Sequence, residues 1–269
     1  MAKPRSPTRM RGMGVHEVAA SGFGSAAAVY EAARPGYPPP VVDWLMDVLS
    51  LAGDSMVVDL AAGTGKLTRL LAEQGANPVA VEPVAGMRGE LRKAAPEIPI
   101  IAGTAEALPF RRASVDALTV AQAFHWFDNP TSHHEIARVI RPGGRLALLW
   151  NARDRRVAWV DAIWSIMDRV ERDAPWRDHE SARSANGRTI PGFSAFERSE
   201  FVHDHEVTRE QVVQRIASVS HVAVLPDDRR AAVLDEVAEI LDAHPDTTGK
   251  PTLAITYRVD CFVAERLDS

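Results

Sequence analysis

The chain of 269 residues is 46% apolar and carries a formal charge of −5 at pH 7, with 36 acidic side chains against 31 lysines and arginines. That length suits one large α/β domain or two small ones, the apolar share can build a sizeable core, and the acidic balance excludes the broad basic footprint of a nucleic-acid binder. The lone cysteine, Cys261, excludes an intrachain disulfide, and its apolar run marks a buried, inert thiol rather than a nucleophile.

Lys3, Arg5, Arg9 and Arg11 open the chain without an acid among them, and residues 1–20 read as a disordered, solvated tail. The start holds no long apolar run, so no secretory signal is expected. Nothing approaches a membrane span, and a soluble, cytoplasmic protein is the expectation. Ala26 to Ala33 reads as a short helix that the prolines from Pro35 onward stop. In the next helix Val41, Val42, Leu45, Val48 and Leu49 fall on one face.

Val57-Val58-Asp59-Leu60 then reads as a buried parallel strand ending near an acid, followed by the small-residue loop Ala61-Ala62-Gly63-Thr64-Gly65 and a helix from Lys66. Glycines at 63 and 65 let backbone approach a ligand closely. The second strand, Val79-Ala80-Val81, ends in Glu82, and a carboxylate there can take both hydroxyls of a ribose. A dinucleotide fingerprint would place a third glycine where Thr68 stands. A phosphate loop would need glycine at Leu60 and a hydroxyl residue at Leu67. Both patterns fail, and a nucleoside crevice without pyrophosphate recognition is left.

Strands and helices alternate throughout, which implies a parallel sheet. Trp159, Ile163, Trp164 and Met167 lie on one helix, and the polar stretch 177–188 has little period. Phe201 to Val207 reads as a sixth strand. Thr208 and Gln211 have the spacing of a capping box. Helices at 209–219 and 227–243 break near Leu225-Pro226, and Thr252 to Arg266 is a seventh strand.

Asp59-x-x-x-Gly63-x-Gly65 with Glu82 after the second strand resembles the first motif of the class I S-adenosylmethionine-dependent methyltransferases. Gly103 to Phe110 looks like that family's third-strand loop, Ser114 to Gln122 is similar to its fourth strand, and Arg138 to Leu148 to its helix, Pro142-Gly143-Gly144 turn and fifth strand, so the resemblance spans residues 57–150. It implies a doubly wound, mostly parallel, seven-stranded Rossmann-like sheet with an antiparallel last strand, a sixth–seventh strand hairpin and a helical cap insertion. One domain over 21–269 is then expected. It would hold N-terminal cap helices at 21–50, a cofactor-binding half at 51–151, a cap insertion at 152–200 and C-terminal strands and helices at 201–269.

The resemblance also implies a cofactor, S-adenosyl-L-methionine, with S-adenosyl-L-homocysteine as product and no metal. Its contacts would be Tyr30, Arg34, Asp59, Ala61, Gly63, Gly65, Glu82, Pro83, Thr104, Ala105, Glu106, Gln122 and Ala123. Tyr30 and Arg34 would close the methionine end, Arg34 through a forked contact to the carboxylate; a surface cap fastening the N-terminal arm is the competing reading. Family members often carry Asp at position 104. Here the Thr104 hydroxyl or the Ala105 N–H would bond the adenine edge. Gln122-Ala123-Phe124-His125-Trp126 is similar to a run in small-molecule methyltransferases, and ligands bind beyond the carboxyl ends of such strands. His125 could serve as a base to a hydroxyl acceptor, with Trp126 and Trp150 beside the acceptor. A packing histidine and a core tryptophan are the competing readings.

The expected activity is methyl transfer to a small-molecule acceptor at oxygen. The rivals are a carbon methyltransferase of quinone-type metabolism and a cofactor-binding protein without transfer. No nucleic acid or membrane partner is expected, and no oligomeric state follows. His133-His134-Glu135 cannot converge on one ion from a helix. His203 and His205 share a strand face but lack further ligands, so a solvated face is expected. Asn129-Pro130-Thr131 lacks the second proline and aromatic of the amino-methylase motif and comes too late after the strand.

Overall fold

A computed structural model of the chain describes residues 35–172, 185 and 187–268. The expected helix at 26–33, Tyr30, Arg34 and residues 177–184 lie outside the described residues.

Helix α1 (Pro39–Val48) starts on prolines, which fit a first turn whose N–H groups have no helical partner, and buries Val41, Val42 and Leu45. The nucleotide-type half follows as β1 (Met56–Leu60), α2 (Lys66–Glu73), β2 (Asn77–Val81), α3 (Ala85–Ala94), β3 (Ile100–Ile101) and β4 (Val115–Ala121). A 3₁₀ turn at Phe124–Trp126 leads to α4 (Pro130–Val139) and β5 (Ile140–Arg153). Asn129 caps α4, its side chain accepting the N–H groups of Thr131 and Ser132. The chain then adds α5 (Ala158–Arg172), β6 (Glu197–Thr208), α6 (Arg209–Ala217), α7 (Ser220–Ala223), α8 (Asp227–Ala243) and β7 (Thr252–Glu265).

These strands form one sheet in the order β3-β2-β1-β4-β5-β7-β6. The first five run parallel, and β7 lies antiparallel between β5 and β6. The chain leaves β1 in one direction and returns at β4 to build the other way, so the β1–β4 boundary is the topological switch point. Alternate residues of β1 serve opposite faces. Val58 and Leu60 join Leu118, Val120, Phe124 and Ile136, whereas Val57 joins Val41, Leu45, Leu67, Leu71 and Leu149. Helices therefore cover both faces, as buried parallel strands require. A third cluster wraps the far end of the β6–β7 hairpin: Val207, Leu253, Ile255 and Tyr257 pack on residues of α5, α6 and α8.

The Thr208 capping box forms in full, with the Thr208 hydroxyl accepting the Gln211 N–H and the Gln211 side chain accepting the Thr208 N–H at 2.8 Å. The Pro-Gly-Gly turn differs from a plain loop between helix and strand. It lies within β5, where Val115 pairs with Ile140 and Ala117 with Arg145, so residues 141–144 bulge from the ladder. The turn is anchored by Arg141, whose Nε donates to Asp116 at 2.6 Å, while the other Asp116 oxygen accepts the Met56 N–H at 2.8 Å. A Cβ at Gly144 would stand 2.6 Å from the Asp116 carbonyl oxygen and 2.9 Å from that of Arg141. Backbone cannot yield as a side-chain tip can. Gly144→Ala is therefore expected to destabilise the chain by about 1–3 kcal/mol, read as a lowered urea midpoint; an unchanged midpoint would show that the bulge relaxes freely.

Candidate functional site

The loop from Ala61 to Gly65 has few side-chain atoms of its own to anchor it, and a neighbouring carboxylate ties its backbone. Glu82, at the end of β2 and 4% exposed, accepts the Gly63 N–H at 2.9 Å on one oxygen and the Val84 N–H at 2.8 Å on the other. Arg88 holds the same turn by donating to the Glu82 and Pro83 carbonyls at 2.8 Å each. Beneath the loop Asp59 is 1% exposed and accepts the Thr68 hydroxyl at 2.5 Å and the Thr119 hydroxyl at 2.9 Å. Burial pushes the Asp59 carboxyl up to about 6, Thr68 and Thr119 pull it back, and the neighbouring Glu82 charge adds to the rise.

The two glycines have different surroundings. Gly63 has φ +61°, and a Cβ on it would meet nothing within 4 Å. It faces open space in a conformation that side chains disfavour. Gly65 has φ +80°, and its Cβ would overlap the Leu91 side chain of α3. Helix packing, as much as closeness to a ligand, requires that glycine.

Beside the loop a cleft of about 830 Å³ opens at the carboxyl ends of β1, β4 and β5. Ala61, Gly63, Gln122, His125, Trp126 and Trp150 all line it. Ala61 and Gln122, directly after β1 and β4, both have left-handed φ values, +57° and +63°. Such strain in non-glycine residues gathers at functional sites. His125 is buried on the 3₁₀ turn, with its ring centroid 5.0 Å from that of Trp126. Ala123 accepts the Trp126 N–H at 2.9 Å and closes that turn. The buried Trp150 indole packs edge-on against Phe262, and among the described residues its Nε1 has no hydrogen-bond partner. A buried donor in a cleft wall is a place for a ligand acceptor.

The family model of the methyltransferase domain matches residues 58–148. An uncharacterised methyltransferase of Mycobacterium tuberculosis is 40% identical over 244 residues, which cover 90% of this chain and 94% of that protein. This chain belongs to the class I S-adenosylmethionine-dependent methyltransferases. A solved structure of a proposed type II methyltransferase from Anaeromyxobacter dehalogenans superimposes with a TM-score of 0.66 at 26% identity, over 88% of this chain and 99% of that one.

In this methyltransferase the residues implied by the resemblance fall into two groups. Ala61, Gly63, Gln122, His125, Trp126 and Trp150 meet at the cleft. Asp59, Glu82 and Ala105 are buried, and Thr104 bridges back to Ala107 in the loop after β3. Glu106 accepts from the Asn129 side chain at 3.3 Å. That loop is clamped to α4 by a pair that sequence reading missed. Glu135 accepts the Leu108 N–H at 3.0 Å, and Arg138 donates to Glu135 and to the Leu108 and Phe110 carbonyls. Glu135 read as a failed metal ligand is thus a loop anchor. His133 pairs with Asp128 at 2.8 Å. His203 and His205 do not form a solvated face. They are half-buried against Tyr257, with ring centroids at 5.8 and 6.3 Å. Cys261 is buried, which pushes its thiol up to about 12. Among the described residues no three potential ligands gather as a metal site, and no helix is long and apolar enough to cross a membrane.

Asp59 yields a test with a definite sign. Its folded value of about 6 lies above the ordinary 3.8, so the native state binds this proton more tightly than the unfolded chain. Ionisation between about pH 4 and 6 therefore costs the native state up to about 3 kcal/mol. Asp59→Asn cannot ionise. The variant's stability minus that of wild type should rise across that window and stay level above it, as measured by urea unfolding at several pH values. A difference independent of pH would mean that Asp59 titrates as it does in the unfolded chain.

Proposed function

We propose that this methyltransferase moves a methyl group from S-adenosyl-L-methionine to an oxygen of a small molecule. The observation that carries the donor assignment is the Glu82 carboxylate fixed on the Gly63 amide beside the open face of Gly63. A carboxylate at the end of the second strand can take both hydroxyls of a ribose. Thr104, Ala105 and Glu106, on the clamped loop after β3, would border the adenine. Asp59, Ala61, Gly65, Gln122 and Ala123 would shape the methionine end, with Tyr30 and Arg34 closing it.

S-Adenosyl-L-methionine, when bound, supplies a sulfonium methyl: the acceptor oxygen bonds to that carbon, the carbon–sulfur bond breaks, and S-adenosyl-L-homocysteine leaves. The chain aligns the two partners, and alignment alone can supply roughly 7–11 kcal/mol of barrier reduction. His125, in the wall beyond β4, would take the hydroxyl proton. Trp126 and Trp150 would confine the acceptor. The segment after β5 contributes Trp164 and Met167 to the same wall, which supports its role as a cap. Oxygen is favoured over a quinone carbon because a histidine stands at the cleft. The likeness to a demethylmenaquinone methyltransferase of Beutenbergia cavernae, 36% identical, spans only 104 residues, 38% of this chain and 43% of that protein.

Bonds to charged groups contribute about 1.5–3 kcal/mol. Glu82→Ala should accordingly weaken donor binding by roughly 10- to 100-fold in isothermal titration. An unchanged dissociation constant in the folded variant would remove the donor assignment. His125→Ala should lower turnover by roughly 10²- to 10⁴-fold, with donor affinity within a few-fold of wild type. Full turnover would leave proximity as the whole of the catalysis, and lost donor binding would place His125 in the cofactor wall.

A further inference from the structure

The end of β5 lies beside the segment that leads into α1. Gln122, just past β4, donates its N–H to the Leu149 carbonyl at 2.8 Å, so the ends of β4 and β5 are joined two residues before Asn151. The Asn151 side chain donates from Nδ2 to the Gly36 carbonyl at 3.2 Å. A carbonyl only accepts, so that bond decides which end of the Asn151 amide turns toward Gly36. The other end, Oδ1, is buried, and among the described residues it has no hydrogen-bond partner. Tyr37 follows Gly36 directly, and its hydroxyl accepts the Gln122 side chain at 3.5 Å. Pro35, Tyr37, Gln122 and Asn151 all line the cleft. A buried acceptor without a donor is costly, and in a cleft wall a ligand can relieve that cost.

We propose that Asn151 is a further donor-binding residue, whose Oδ1 accepts from the α-ammonium of the methyl donor. This rests on the reading of the cleft as the S-adenosyl-L-methionine site. That molecule carries hydrogen-bond donors in three places: the adenine amino group, the ribose hydroxyls and the α-ammonium. In that reading Glu82 and the loop after β3 meet the ribose and the adenine, so the ammonium is the group left for an acceptor on β5. The neighbours of Asn151 agree, since Gln122 belongs to the methionine end and Gly36 stands two residues after Arg34. One amide then does two things. Nδ2 fastens the segment ahead of α1, and Oδ1 bonds the group beside it. Hydrogen bonds with an ionised partner are roughly twice as strong as neutral ones, so a ligand without the ammonium loses a bond that its shape cannot replace.

The test is calorimetry on the full chain with two ligands: S-adenosyl-L-homocysteine and its deamino analogue, in which hydrogen replaces the α-ammonium and the carboxylate is kept. If S-adenosyl-L-homocysteine does not bind wild type, the donor reading itself fails and takes this proposal with it. If it binds, it should do so at least about tenfold more tightly than the analogue. Asn151→Leu should weaken S-adenosyl-L-homocysteine about tenfold while the analogue stays within about threefold, so that the preference collapses. Asn151→Ala should give the same collapse and carries the test if the leucine variant does not fold, as circular dichroism will show. Asn151→Asp keeps an acceptor oxygen and gives up the bond to Gly36, so it should keep the preference. A wild type that binds both ligands alike would overturn the proposal, and so would a preference that survives Asn151→Leu or Asn151→Ala. Equal weakening of both ligands, or a preference lost in Asn151→Asp, would overturn it as well, by leaving Asn151 only the bond to Gly36.

Discussion

The Asp59 carboxylate lies 2.5 Å from the Thr68 hydroxyl and 2.9 Å from the Thr119 hydroxyl, and so ties β1, α2 and β4 together where the sheet order reverses. A loop of alanine, glycine and threonine spans the gap above it. Such a loop has little with which to fix itself; Glu82 holds it from the side through the Gly63 N–H, and Asp59 fixes the helix and strands on which it stands. The two acids pay a cost in mutual repulsion and in desolvation, visible in the raised value of Asp59. Hydroxyl and backbone N–H donors around both carboxylates offset it. What results is an amide-lined edge already in shape before anything binds, with the one open glycine face beside it. Preorganisation of this kind is what allows a site to act by alignment.

The nucleotide-type half was legible in the sequence because its signals are local. Three apolar residues around an acid, then small residues with glycines at 63 and 65, leave few alternatives, and Glu82 follows from the end of the next strand. Val41 and its helical partners, the Thr208 box and the break at Pro226 were likewise written in short spacings. The strain at Ala61 and Gln122 was not, because any residue type conceals its φ until neighbours force it. The Glu135–Arg138 clamp was missed for a similar reason. Its spacing resembles an ordinary helical ion pair, and only the approach of the Leu108 and Phe110 backbone, about 28 residues away, gives it a purpose. Asp59 was legible at the end of β1 but not as a side chain sealed beneath the loop.

The far wall of the cleft resisted sequence reading for a topological reason. Its wall collects Arg153 from β5, Trp164 from α5, Arg215 from α6 and Tyr257 from β7, positions with no common spacing along the chain. The antiparallel β7 brings them together. It places Tyr257 opposite Arg153 and beside His203 on β6, so one register sets all three neighbours at once. His203 and His205, which alternate as exposed polar residues would, acquire their inward role only from this pairing.

The apolar support of the two halves is also separate. The donor loop rests on clusters that pack the parallel strands, whereas Trp164, Ile216, Tyr257 and their neighbours form a cluster of their own around the end of the hairpin. Side chains in different clusters couple weakly, because coupling falls away when residues share no partners. Changes in the hairpin-end cluster can therefore reshape the far wall of the cleft while the carboxylates beside the loop after β1 stay in place. A likeness that covers only 38% of this chain, as to the demethylmenaquinone enzyme, therefore says little about what this chain methylates.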